Sequence, residues 1–262
     1  MTYFKFISKA FQRSITYRLE YYVGLVNAFL YIFIFTSVWK TVARDSPGAL
    51  GGWSEGKLIQ YAVLSTLIKV SFGRNENLIQ NKIKSGDIIY DVLKPYSFVV
   101  MALSDSIGIS LFQLFGRAIP LLIFSMLFFG FVPDVTWLTA LKFLPVYLMA
   151  FVIYIAIGSL ISSLAFFFTE IFSFMILYFA LVALMSGSIL PLTFFPDFLV
   201  DIIAWTPFPY LFFYPTSVLL DTPSNLSYNE LLFRYMIHCG TTLILSFTVY
   251  FSGIKKLEIA GG

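Results

Sequence analysis

Twenty consecutive residues, Ile171 to Leu190, carry no charged side chain. A run of that length crosses the roughly 30 Å hydrocarbon core of a bilayer as one helix. Lipid offers the backbone no hydrogen-bond partners, so a spanning segment of this kind is committed to helix. Similar stretches recur along the chain, and 59% hydrophobic against 12% charged residues extend the pattern to the whole sequence. The expected fold class is therefore an all-α membrane protein, with residues 1–262 forming one transmembrane domain. A separate soluble catalytic domain would need on the order of 100 residues of mixed polar and apolar patterning, and no such block is present.

Six spans are expected, at about 21–39, 58–72, 106–132, 143–168, 171–190 and 235–254. The second carries Gln60 and Lys69, and Lys69 is near enough to the end to snorkel. Apolar character around the third runs from Phe98 to Val132, 35 residues. That would extend about 52 Å as helix, so its start, with Ser104, Asp105 and Ser106, is expected to project into the cytoplasm. Ahead of the first span, Phe4, Ile7, Phe11 and Ile15 recur at helical spacing opposite Lys5, Lys9 and Arg13. That pattern predicts an N-terminal helix lying in the membrane interface, the alternative being a cytoplasmic extension of the first span. No small-residue cleavage site follows the first apolar run, so that span reads as retained.

Charge orients the bundle. With a cytoplasmic N-terminus, ten Lys and Arg residues fall in inner segments and five in outer ones, while Lys69 and Arg117 lie within apolar segments. The excess places both termini in the cytoplasm by the positive-inside rule. A net charge of +3 gives no reason to expect nucleic-acid binding. The single cysteine, Cys239, excludes an internal disulfide and any cysteine metal cluster.

Two loops stand apart. In the inner one, Gly73 to Tyr96, Leu78, Ile79 and Ile83 precede Gly86, and Ile88, Ile89, Val92 and Leu93 follow it. The glycine predicts a break between two short helices, the second stopped by Pro95. The outer loop, Pro191 to Glu230, holds Pro191, Pro196, Pro207, Pro209, Pro215 and Pro223 among many aromatics. Proline at that density forbids one straight helix, yet Phe195, Phe198 and Ile202 are too apolar for a free loop. Short broken helices dipping back into the outer leaflet are expected, as a re-entrant hairpin.

No phosphate-binding glycine loop with its Lys-Ser/Thr end is present. His238, the only histidine, lacks the carboxylate or cysteine partners of a zinc site. A Ser–His protease would need Ser186 or Ser188, but the Gly-x-Ser-Gly context is missing; an interhelical hydrogen bond suits His238 better. Arg117 and Asp105 are twelve residues apart, about 18 Å of helical rise, and cannot pair. For Arg117 a substrate or conformational role stands beside a structural partner or a place at the inner interface. Gly158 and Ser162 form a small-xxx-small pair suited to helix packing.

The inner-loop run Lys84-Ser85-Gly86-Asp87-Ile88-Ile89-Tyr90-Asp91-Val92-Leu93-Lys94-Pro95 resembles the cytoplasmic signature of ABC-2 type exporter permeases. Ser186 to Pro196, Pro207-Phe208, Tyr214-Pro215 and the tail from Gly253 to Glu258 continue the resemblance, which covers roughly residues 70–262. It implies a non-enzymatic permease subunit of an ATP-driven exporter, without cofactors of its own. ATP and Mg would sit on two separate ATP-binding cassette subunits, and a second permease subunit, identical or related, would complete the assembly in the plasma membrane. It further implies ATPase coupling at Asn77, Ile79, Ile83, Gly86, Asp87, Leu93 and Pro95, the alternative for this loop being a solvated connector. An extracellular gate is implied at Pro191, Phe195, Pro196, Phe198 and Pro207, with Arg117 and His238 as the intramembrane polar residues. Few intramembrane charges suit an amphipathic or hydrophobic cargo: a drug, lipid-linked compound or peptide. A polysaccharide-export permease is the rival within the class and an intramembrane enzyme the rival outside it. A vitamin importer would carry an Ala-Arg-Gly type motif that is not found here.

Overall fold

The computed structural model describes residues 2–16, 18–45, 53–93, 98–130, 135–222 and 226–256. Among these residues all regular structure is helical. The helices are α1 (Thr2–Thr16), α2 (Arg18–Asp45), α3 (Glu55–Ser71), α4 (Leu78–Ser85), α5 (Ile88–Leu93) and α6 (Phe98–Gln113), then α7 (Ile119–Phe129), α8 (Trp137–Ser163), α9 (Phe172–Met185), α10 (Asp197–Ala204), α11 (Phe213–Leu219) and α12 (Tyr228–Ile254).

Among the described residues four helical stretches are long and apolar enough to cross a membrane, Tyr21–Asp45, Val100–Phe129, Trp137–Phe166 and Tyr228–Ile254, while Phe172–Met185 is apolar but shorter. The protein is thus a multi-pass membrane protein, and several expected boundaries move. The expected 171–190 run stops as helix at Met185, because Gly187 takes a left-handed φ of 74° and Pro191 follows. The last helix begins at Tyr228, not 235: Ser227 caps it, accepting from Glu230 N–H, and Glu230 pairs with Arg234 one turn on. Polar residues to Asp45 extend α2 beyond 39.

The long third segment is helical from Phe98 to Phe129 with a π turn at Leu114–Ala118, and ends at Gly130, φ 60°. Pro120 explains the turn. It has no N–H to give the Gly116 carbonyl, which instead accepts from the Tyr21 hydroxyl of α2 at 2.8 Å. The expectation for α1 also needs amending. Part of its apolar face is spent on α6 rather than on lipid: Ala10 is fully buried, Phe11 meets Phe112 edge-on, and Arg13 pairs with Asp105 at 3.2 Å. Phe4 and Ile15 remain exposed.

The main core joins α2, α3, α7, α8, α9, α11 and α12 around Tyr61, Ile153, Leu211 and Tyr235. A smaller cluster of Ile79, Ile88, Met101 and Tyr250 closes the end of the bundle that carries Lys82, Lys84, Lys255 and Lys256, here the basic end.

Candidate functional site

At the basic end the chain leaves α3 through Gly73, whose N–H donates to Ser110 Oγ at 2.7 Å. Asn75 then plugs into α8: its Nδ2 donates to the Ile155 carbonyl at 3.1 Å and to Ser159 Oγ at 3.0 Å. Gly158 makes room for it, since a Cβ there would stand 2.0 Å from Asn75 Oδ1. One turn further, Ser162 Oγ accepts from the Ile79 N–H at 2.8 Å, occupying a donor that the start of α4 would otherwise leave unpaired. The Gly158–Ser162 stripe is therefore the seat of a loop, not a helix–helix seam. Tyr154 donates to buried Glu76 at 3.2 Å.

Two further links clamp α4. Gln80 and Lys84 donate to the two oxygens of Glu170 at 2.6 and 2.9 Å, tying α4 to the turn between α8 and α9. These donors hold the Glu170 carboxyl down at about 2. Lys82 pairs with Asp91, joining α4 to α5. Between the two helices Gly86 adopts φ 78°, as the break required.

This geometry sorts the expected coupling residues. Ile79 is buried and Ile83 half-buried against the bundle's own cluster, so both face inward. Asn77 precedes α4 and is exposed, as is Asp87, which accepts from Ser85 Oγ at 2.7 Å. Leu93 ends α5, and Pro95 lies outside the described residues. The outward face is made of Asn77, Asn81, Lys84, Ser85, Asp87 and Tyr90, the last 70% exposed. Periodicity found the apolar face of this loop, but Tyr90 lacked any signal of its own.

At the opposite end the unwound stretch after α9 is bolted down. Tyr61 donates to the Gly187 carbonyl at 2.6 Å, Phe213 N–H to Ser186 O at 2.9 Å, and Trp53 Nε1 to Thr193 Oγ1 at 2.9 Å. A Cβ on Gly187 would lie 2.7 Å from Phe213 Cβ and 2.8 Å from the Tyr61 hydroxyl. Pro191 is buried, Phe195 and Pro207 are half-buried, and Pro196 and Phe198 are exposed. The hairpin is packed: Tyr210, Leu211 and Phe212 are at most 1% exposed. Tyr235 donates to the Tyr210 carbonyl at 2.7 Å. His238 packs against the Tyr210 ring at a tilt of 42°, centroids 4.3 Å apart, and the expected interhelical hydrogen bond is not seen among the described residues.

An aromatic column joins the two ends. Phe72, at the foot of α3, lies 5.9 Å from Phe212 of the hairpin and 5.1 Å from Tyr154, the donor to Glu76. Arg117 stands apart, in the π turn beside Tyr21. No group of three or more metal-ligating side chains occurs among the described residues.

A model for a family described as ABC-2 family transporter protein matches residues 24–261. The chain belongs to the ABC-2 transporter family. It is a membrane permease of ABC transporters, a transport membrane component. The match covers both the clamped inner loop and the packed hairpin of this ABC-2 permease. No curated protein matches the sequence.

Proposed function

We propose that this ABC-2 permease is the membrane subunit of an ATP-driven exporter for an amphipathic or hydrophobic compound: a drug, lipid-linked molecule or peptide. Residues 1–262 act as one domain of six spans, counting α3 and the short α9, with the basic end and both termini in the cytoplasm of a cell facing outward through its plasma membrane. Two ATP-binding cassette subunits hold ATP and Mg, and this chain needs no cofactor. A second permease subunit, a copy or a relative, covers apolar surface such as Phe172, Ile176 and Leu184 of α9, all more than half exposed. The hairpin from Pro191 to Leu219 is the re-entrant extracellular gate.

The observation that carries this reading is the clamped inner loop. A short helix with an exposed polar and aromatic face, and a buried root in α8, can take a push at its face and pass it to the bundle. Glu76, Tyr154, Phe72 and Phe212 offer the push a contiguous route to the hairpin. Docking through Tyr90, Asp87 and Asn77 replaces Ile79 as the contact with the motor.

Two variants test it. Tyr90→Ala should leave thermal unfolding of the purified chain unchanged while the ATPase subunit no longer co-purifies and transport stops. Ile79→Asp should lower the unfolding temperature itself, because it buries a charge at a cost of several kcal/mol. If Tyr90→Ala binds ATPase and exports like the parent, the docking face is wrong and the exporter reading loses its mechanical basis.

A further inference from the structure

Where α1 hands over to α2, a cavity of about 260 Å³ opens against the π turn. Arg13, Ser14, Tyr21, Gln113 and Arg117 supply its polar lining, and Ile109 and Phe112 its apolar floor. The proposed exporter function assigns nothing to it. We propose that this niche binds the phosphodiester headgroup of an anionic phospholipid from the cytoplasmic leaflet.

Depth is the first argument. Tyr21 begins the charge-free run that ends at Trp39, and its hydroxyl is bonded to Gly116 O, one residue before Arg117. Arg13 lies in the preceding amphipathic helix. The niche thus straddles the boundary between the basic end and the apolar span, the level at which lipid phosphates sit.

Chemistry is the second. Two guanidinium groups line one small cavity, and planar guanidinium forks match phosphate oxygens bidentately. Arg13 also carries a 3.2 Å pair with Asp105, whose carboxylate is not part of the lining. Gln113 Oε1 is buried without a hydrogen-bond partner among the described residues, so a headgroup hydroxyl can donate to it. Glycerol-bearing headgroups satisfy both requirements, while the Ile109 and Phe112 floor accepts the glyceride stem.

Construction is the third. A Cβ on Gly24 would stand 2.6 Å from the Arg117 guanidinium carbon, so the glycine lets that guanidinium lie close against α2 where a larger side chain would displace it. Arg117 lies 6.0 Å from the Tyr21 ring centre. It projects from a π turn, a local widening of the helix that often marks functional positions. Proline, glycine and arginine together build a charged recess in an otherwise apolar segment.

The leaflet named here rests on the proposed orientation; the lipid test does not. The full chain is purified without any ATPase and reconstituted in phosphatidylcholine nanodiscs with or without phosphatidylglycerol, and lipid retention is read by native mass spectrometry. The parent should retain phosphatidylglycerol preferentially. Arg117→Gln and Arg13→Gln should each weaken that retention about fivefold. Gly24→Leu should do the same without removing a charge, and Lys57→Gln, on α3 at the far end, should not. Should Arg117→Gln fail to fold, Arg13→Gln decides alone, its side chain being 52% exposed. Parental retention by the arginine variants overturns the proposal. So does equal thermal stabilisation by inorganic phosphate and by the phospholipid, which would mark a free-anion site. Transport failure with normal lipid retention would count against the exporter reading only.

Discussion

A methyl group on residue 158 would stand 2.0 Å from Asn75 Oδ1, and that contact makes Gly158 the tightest point of the inner loop. Gly158→Ala should therefore cost about 1–3 kcal/mol, as overpacking of a closed site does, measured by thermal unfolding in detergent. Asn75→Ala removes the clashing atom, so the double variant should lose less than the sum of the single ones. Additive losses would mean that Asn75 is not seated there. Spacing alone marked Gly158 and Ser162 as a place where something approaches closely. It was silent on the visitor, because a missing side chain specifies a gap and not what fills it. Ile79 teaches the same lesson in reverse. Its periodic apolar neighbours showed a face to be buried, and only the fold showed that the protein's own Met101 and Tyr250 bury it.

At the scale of elements, the break between α4 and α5 was legible because Gly86 sits between two apolar helical patterns. Its φ of 78° leaves a Cβ with nothing within 4 Å, so a substitution is penalised by the backbone alone. Gly86→Ala should then cost about 1–2 kcal/mol and Gly86→Val more, because a β-branched side chain tolerates this region least, and both should uncouple ATPase from transport. A neutral Gly86→Ala would show that the left-handed turn is not required. The clamp on α4 is a different matter. Glu170 has its folded carboxyl depressed to about 2 from an ordinary 4.5, so its contribution is complete above the unfolded value and disappears as pH falls towards 2. Thermal unfolding followed from neutral pH down to about 2 should show less loss across that window for Glu170→Gln than for the parent. Equal loss would place the acid sensitivity elsewhere. Nothing in the sequence pairs Glu170 with Lys84, 86 positions away.

For the whole molecule, the decisive measurement is sidedness. In a Cys239→Ser background, cysteine at Ser85 should resist impermeant thiol reagents in intact cells, while cysteine at Asn225 should label. The reverse pattern would invert the assembly and exchange the roles of loop and hairpin. A column of aromatic rings from Tyr154 through Phe72 to Phe212 gives that orientation a mechanical consequence. Under the proposed coupling, work delivered at the basic end would meet a packed neighbour at each step, since close-packed interiors transmit displacement instead of absorbing it.

Membrane class, helical content and the positions of loop and hairpin follow from the sequence by itself, because hydrocarbon forces unbroken backbone hydrogen bonding and glycine and proline mark where it fails. The family was legible for the same reason: loop and hairpin keep their order and spacing in one dimension. Tertiary structure alone decided what each surface touches. It turned Ile79 inward and Tyr90 outward, sent Asn75 into α8, and set Tyr21 on the carbonyl that Pro120 leaves unbonded. In a chain that is 59% hydrophobic, lipid-facing and protein-facing residues are chemically alike. Burial there is settled by shape and by a few polar contacts between distant segments, neither of which leaves a local trace.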